Sequence, residues 1–187
     1  MNWHNLLARS ERHYTAPTLP DAESNPMPID ESLHADFRHL LAHWNNWRQD
    51  RPAPSRSQID PLPIYRLLPR LTLSDVIESG SDFRYRLAGT AICDLHGFEL
   101  RHRRPSDFQQ ASFGRILLGH YRSCVEEAKP RFDRISLNPK DKHCWYARLL
   151  LPLSNNGHDI DGLLGLDLHA DSDRIKRHCQ RSNLMGA

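Results

Sequence analysis

The stretch that decides the fold is Phe83–Gly97, FRYRLAGTAICDLHG. It opens as a strand, with Phe83, Tyr85 and Leu87 on one face and Arg84 and Arg86 on the other, the period of two that a pleated strand imposes. The pattern breaks at Ala88-Gly89-Thr90, where Gly89 is expected to supply backbone freedom and Thr90 to cap a short helix. Ile92, Cys93 and Leu95 then give a short apolar piece up to Gly97. A strand running into a short helix is the seed of the domain.

On the N-terminal side, Leu71–Glu78 (LTLSDVIE) alternates and carries Val and Ile, so it reads as a strand joined to the first through Ser79-Gly80-Ser81-Asp82. On the C-terminal side, Phe98–Gln110 is polar and irregular, with basic residues clustered at Arg101–Arg104. Ala111–Lys129 carries a helical stripe of Phe113, Ile116, Leu117, His120, Tyr121, Cys124 and Val125, ended by Pro130. Three strands come next, at Arg131–Leu137, His143–Leu153 and Ile160–His169. The last two are joined by a turn containing Asn156-Gly157, a pair that tolerates positive φ.

Further upstream, Leu33, Phe37, Leu40, Leu41 and Trp44 recur every three or four residues, giving an amphipathic helix over 31–49 that Asp30 can cap. Between this helix and the strands, Ile59-Asp60-Pro61 reads as the entry to a short helix that turns Ile64, Leu67 and Leu68 inward. The expected architecture is α+β: a five-stranded mostly antiparallel sheet with helices on one face, plus the N-terminal amphipathic helix. Residues 1–30, with Pro17, Pro20, Pro26 and Pro28, read as an extension or linker, 31–170 as the domain, and 171–187 as a basic tail.

The 187 residues carry a formal net charge of +2, which argues against nucleic acid as a general partner. The four cysteines form no CxxC pair, which fits a reducing cytoplasm. No apolar run is long enough for an integral membrane span. No G-x-S-x-G elbow, P-loop or Rossmann glycine pattern is present, so no catalytic residue is assigned and the chain is not read as an enzyme.

The combination of Trp44, Pro54, Arg56, Ile59-Asp60-Pro61, Leu67-Leu68-Pro69, Arg84–Thr90, Gly97, Leu100, Leu151-Pro152-Leu153 and Gly165 resembles the bacterial PAS domain family typical of alphaproteobacteria, over residues 33–169. The resemblance implies the PAS fold, a sensory or regulatory role, a concavity able to take a small molecule, and dimerisation through the leading helix. It implies no particular cofactor. With no fused output region in these residues, output is expected through protein–protein interaction; the alternative is a metabolite or haem sensor.

Candidate ligand-binding residues are Arg86, Thr90, Cys93, His120 and Tyr121. For Arg86, a structural pairing with Asp94 or Asp167 competes with an anionic ligand. Cys93 lacks the surrounding residues of a flavin photosensor and reads as a small buried hydrophobe. His120 is placed where haem could find an axial ligand, as is His96, but a lone His on an apolar face is commonly a hydrogen-bonded core residue. Candidate partner-binding residues are Phe37 and Trp44 on the leading helix, with Tyr146 and Arg148 on the outward face of their strand. His39 and His43, one turn apart, lack a third ligand, so no metal site is assigned.

Overall fold

The structure is a computed structural model describing residues 21–30, 33–108, 111–169, 171, 173, 175–177 and 179. Its centre is one sheet in which every neighbouring pair is antiparallel. The strands are β1 (Glu23–Pro26), β2 (Leu71–Ile77), β3 (Asp82–Ala88), β4 (Arg131–Ser136), β5 (Trp145–Leu153) and β6 (Gly162–His169), in the order β1-β4-β5-β6-β2-β3. The sheet thus has six strands where five were expected. The additional one, β1, comes from the proline-rich stretch read as an extension or linker. It pairs with β4 through the backbone alone, in a register of Glu23 with Ser136 and Pro26 with Asp133.

Helices α1 (Ala35–Arg48), α2 (Thr90–His96) and α3 (Ala111–Glu127) cover the sheet. Helix α1 starts later than its apolar stripe suggested. His34 is its cap, and the ring Nδ1 accepts from the Asp36 N–H. Phe37, Leu40 and Trp44 are buried against the outer face of the sheet. Phe37 meets Phe132 edge-to-face at 5.0 Å, and Trp44 donates its indole N–H to the Pro152 carbonyl at 2.9 Å. Each such side chain contributes about 1.5–3 kcal/mol of burial. The partner-facing role expected of Phe37 and Trp44 therefore meets a stripe already spent on the chain's own sheet.

The opposite face lies beneath α2 and α3, where Phe83, Tyr85, Phe113, Leu117 and Tyr121 form the inner core. Tyr146 and Arg148, expected to point outward, are on this inner side and only 4% exposed each. Leu149 and Leu151 occupy the outer side, and they too are buried. The inversion has a physical reason: both faces are covered, so apolarity on alternate positions cannot say which face is interior.

Two further details correct the expectations around Gly89. The register of β2 and β3 shifts between Leu73 and Ser74, so Arg86 bulges and Leu87 turns out to 48% exposure instead of joining Phe83 and Tyr85 inside. Gly89 has an ordinary φ of −66° and is itself the cap of α2, in place of Thr90, which is exposed. Glycine is needed there because any Cβ would overlap the carbonyls of Leu68 and Pro69. Leu68, expected inside, is 40% exposed, whereas Ile64 and Leu67 are buried.

Substituting Gly89→Ala should destabilise the domain by roughly 1–3 kcal/mol through this backbone overlap. Gly119→Ala, on an α3 position with open space around it, should stabilise by about 0.5–1 kcal/mol. Urea melts of the two variants should move their midpoints in opposite directions.

Candidate functional site

The interior is organised around a charged row across three strands. The sheet register sets Asp133 of β4 opposite Arg148 of β5, and Arg148 opposite Asp167 of β6. Arg148 grips Asp167 with two hydrogen bonds, Nε to Oδ1 at 2.7 Å and Nη2 to Oδ2 at 2.6 Å, both residues being buried. Its remaining nitrogen, Nη1, is 3.5 Å from the Tyr121 hydroxyl, which in turn donates to Tyr85 at 3.2 Å. The guanidinium also lies 5.2 Å from the Tyr146 ring centre, a cation–π distance. Burial works against the Arg148 charge, but Asp167, Tyr146 and Tyr121 outweigh it and raise its pKa well above the ordinary value. Burial likewise raises Tyr85 and Tyr146 well above theirs.

His120 sits beside this row. Its Nε2 is 2.9 Å from Ser24 Oγ on β1 and 3.5 Å from Asp133. The nearby carboxylate would favour imidazolium, but Asp133 is already gripped by Arg131 at 2.7 and 2.9 Å. Burial, reinforced by the charges of Arg131 and Arg148, lowers His120 to about 3. Asp133 itself is raised, chiefly by burial.

The enclosed space left between α2 and the sheet is about 10 Å³, lined among others by His96, Tyr146, Asp167 and His169, with Ile175 and Cys179 closing one side. That is room for one water. His96 Nδ1 and the Tyr146 hydroxyl are buried at this point without a partner among the described residues. Burial lowers His96 to about 4. A haem or flavin does not fit this space, and His120, weighed as a haem ligand against a hydrogen-bonded core histidine, has its Nε2 turned to Ser24.

Of the expected ligand-binding residues, the structure brings together only His120 and Tyr121, around Arg148. Arg86 is 54% exposed on the outer side and pairs at 3.0 Å with Asp75, rather than with Asp94 or Asp167. Arg56 reaches the same carboxylate at 2.7 Å. Cys93 is half-buried at the surface near Glu99, and burial raises its thiol. Burial also pushes Cys124 and Cys179 up to about 12, so neither is a thiolate nucleophile at neutral pH. No group of three metal-ligating side chains occurs among the described residues. His39 Nε2 instead lies 2.9 Å from the Pro63 carbonyl.

Larger concavities lie at the surface, one of about 520 Å³ beside Trp44, Arg48 and Pro130 and another on the outer face of the sheet. A groove of about 510 Å³ runs between the start of α1, the exit of β1 and the strands β4, β5 and β6. Phe37, Phe132, Ala147 and Leu168 supply apolar floor, and Met27 and Pro28 line it after β1. Trp145 forms one wall, with the Arg134 guanidinium stacked 4.1 Å from its ring centre. Arg70 lines the groove as well and is tied to Asp36 at 2.7 Å. Arg134, Phe132 and Leu168 were not singled out in the sequence. The available signal was the period of two that sets Phe132 and Arg134 on one face of β4.

Asp167→Asn should cost about 3–5 kcal/mol, because it leaves the Arg148 charge buried without its partner. The double variant Arg148→Met/Asp167→Leu should recover most of that loss in the same denaturant melts. The sign of the histidine effect is set by the lowered values. Above pH 6.5 both states hold neutral His120 and His96, so these groups add no pH dependence. As pH falls below 6.5 the unfolded chain takes up protons that the fold refuses until about 4 and 3, and stability falls by up to ~1.4 kcal/mol per pH unit for each histidine. Melts between pH 7 and 5 should show this fall, with a shallower slope in His120→Gln.

The PAS domain family matches residues 33–167. No curated protein matches the chain. Among solved structures, an RNA-binding light-oxygen-voltage receptor is similar with a TM-score of 0.44 at 16% identity, over 88% of this chain and 42% of that one. A light-oxygen-voltage domain studied with a flavin analogue has a TM-score of 0.41 at 14% identity, over 66% of this chain and 95% of that one. The chain thus spans less than half the length of the first of these. The family match covers most of the sheet together with α1, α2 and α3, and on it the chain belongs to the PAS domain family.

Proposed function

We propose that this PAS domain is a non-catalytic regulatory module of the cytoplasm, and that it signals by docking a partner protein in the groove on its outer sheet face. The observation that carries this reading is the contrast between the filled inner side of the sheet and the open groove on its outer side. The interior is filled by the Arg148–Asp167 pair and its tyrosines and leaves about 10 Å³, whereas the outer groove offers about 510 Å³. A homodimer built through Phe37 and Trp44 would require α1 to leave the sheet.

The alternative, a small-molecule sensor, draws on one specific observation, the unpartnered His96 Nδ1 and Tyr146 hydroxyl inside the domain. A polar metabolite could satisfy both if the core around Ile175 and Cys179 opened.

A photo-crosslinking side chain placed at Trp145 tests the proposal in the source cells. It should capture one protein that the same side chain at exposed Leu62 does not. Equal labelling from both positions, or none from either together with a metabolite that co-purifies with the chain and raises its melting temperature, would overturn the docking reading in favour of the sensor.

A further inference from the structure

We infer that the segment received by this groove is acidic and apolar at once: a large aliphatic or aromatic side chain flanked by Asp or Glu. The inference rests on the docking reading above and adds the chemistry of the partner. Three features of the groove carry it. Its floor is built from Phe37, Phe132, Ala147 and Leu168, which reward an apolar anchor. The charged side chains that line it are all basic: Arg70 and Arg134 are there, and Asp or Glu are absent from the lining among the described residues. The two arginines, finally, are not equivalent. Arg70 is held by Asp36, whereas Arg134 is exposed and makes no ion pair with a described carboxylate. Arg134 is held in place by the Trp145 ring instead, so its planar fork is oriented beside the apolar floor with its donors open.

An arginine fixed on a tryptophan at the lip of an apolar trough is the arrangement that favours a carboxylate next to a hydrophobic side chain. Arg and Trp are also the residue types that dominate interface energetics. A basic or neutral segment would bury the floor equally well and leave Arg134 without a partner. Single-stranded nucleic acid fits less well. It needs a track of cations along its backbone and open rings for successive bases, and here the one indole wall is already covered by Arg134.

The test is a random-peptide display selection on the full-length, immobilised protein. Selected peptides should pair Leu, Phe or Trp with neighbouring Asp or Glu and be poor in Lys and Arg. The best of them should bind at least tenfold more weakly to Arg134→Glu and lose affinity as salt rises, while Arg134→Lys keeps part of the binding. Circular dichroism melts of both variants should match the parent, since Arg134 is exposed. Peptides without acidic enrichment that still bind in the groove would overturn the inference and leave the docking reading standing. Peptides that ignore Trp145→Ala and Arg134→Glu alike would overturn both. Binding that emerges only after residues 1–20 are removed would also overturn it, since the groove would then belong to the chain's own N-terminal segment.

Discussion

A guanidinium buried beneath two layers of structure can persist only if its charge is matched and its donors are used. Arg148 meets both conditions through the flat, two-pronged contact with Asp167 and the hydroxyl of Tyr121. Much else in the domain depends on it. The contact demands that β5 and β6 hold one register, because a slip of either strand by one residue would carry its charge to the opposite face and part the pair. It demands that α3 lie close enough to present Tyr121, and that β3 present Tyr85 behind it. The interior is consequently a polar keystone with an apolar surround, and the room that other arrangements of a sheet and helices would leave for a ligand is taken by side chains.

With the inner face committed, the docking proposed for this domain falls to the outer face. Helix α1 covers part of the outer face and leaves the rest as a trough. His169 is at the boundary of the two regions, lining the groove and the small interior space alike, and burial lowers its pKa. The floor of the groove is made by the same strands whose other side holds the charged row.

Much of this architecture is legible in the residues. The stripes of α1 and α3, the alternation in β2 and the Asn156-Gly157 turn point to elements that exist, and the PAS family expected from the residues is the one whose model matches residues 33–167. The orientation of β5 is not legible, because Leu149 and Leu151 are as apolar as any core row and the Arg148 charge argues for solvent until its partner is known. That partner lies 19 residues away and is recognisable only once the strand register is set. Strand β1 is invisible for a different reason: Glu23-Ser24-Asn25-Pro26 has neither alternation nor β-branched residues, and only backbone pairing makes it a strand. The bulge at Arg86 escapes detection because it is a property of the pairing between two strands and not of either alone.

Strand β1 also bears on where this domain can be cut. A fragment begun at residue 33, where the family match starts, would lack Glu23–Pro26 and with it the strand that closes β4. The edge of β4 from Asp133 to Ser136 would then present unpaired N–H and C=O groups to solvent, an invitation to pair with the same edge of another molecule. Pro26 and the anchoring of Ser24 on His120 make β1 a poor template for any further strand. Expression fragments of the domain should therefore begin ahead of this short, plain piece of chain, so that the β4 edge stays covered.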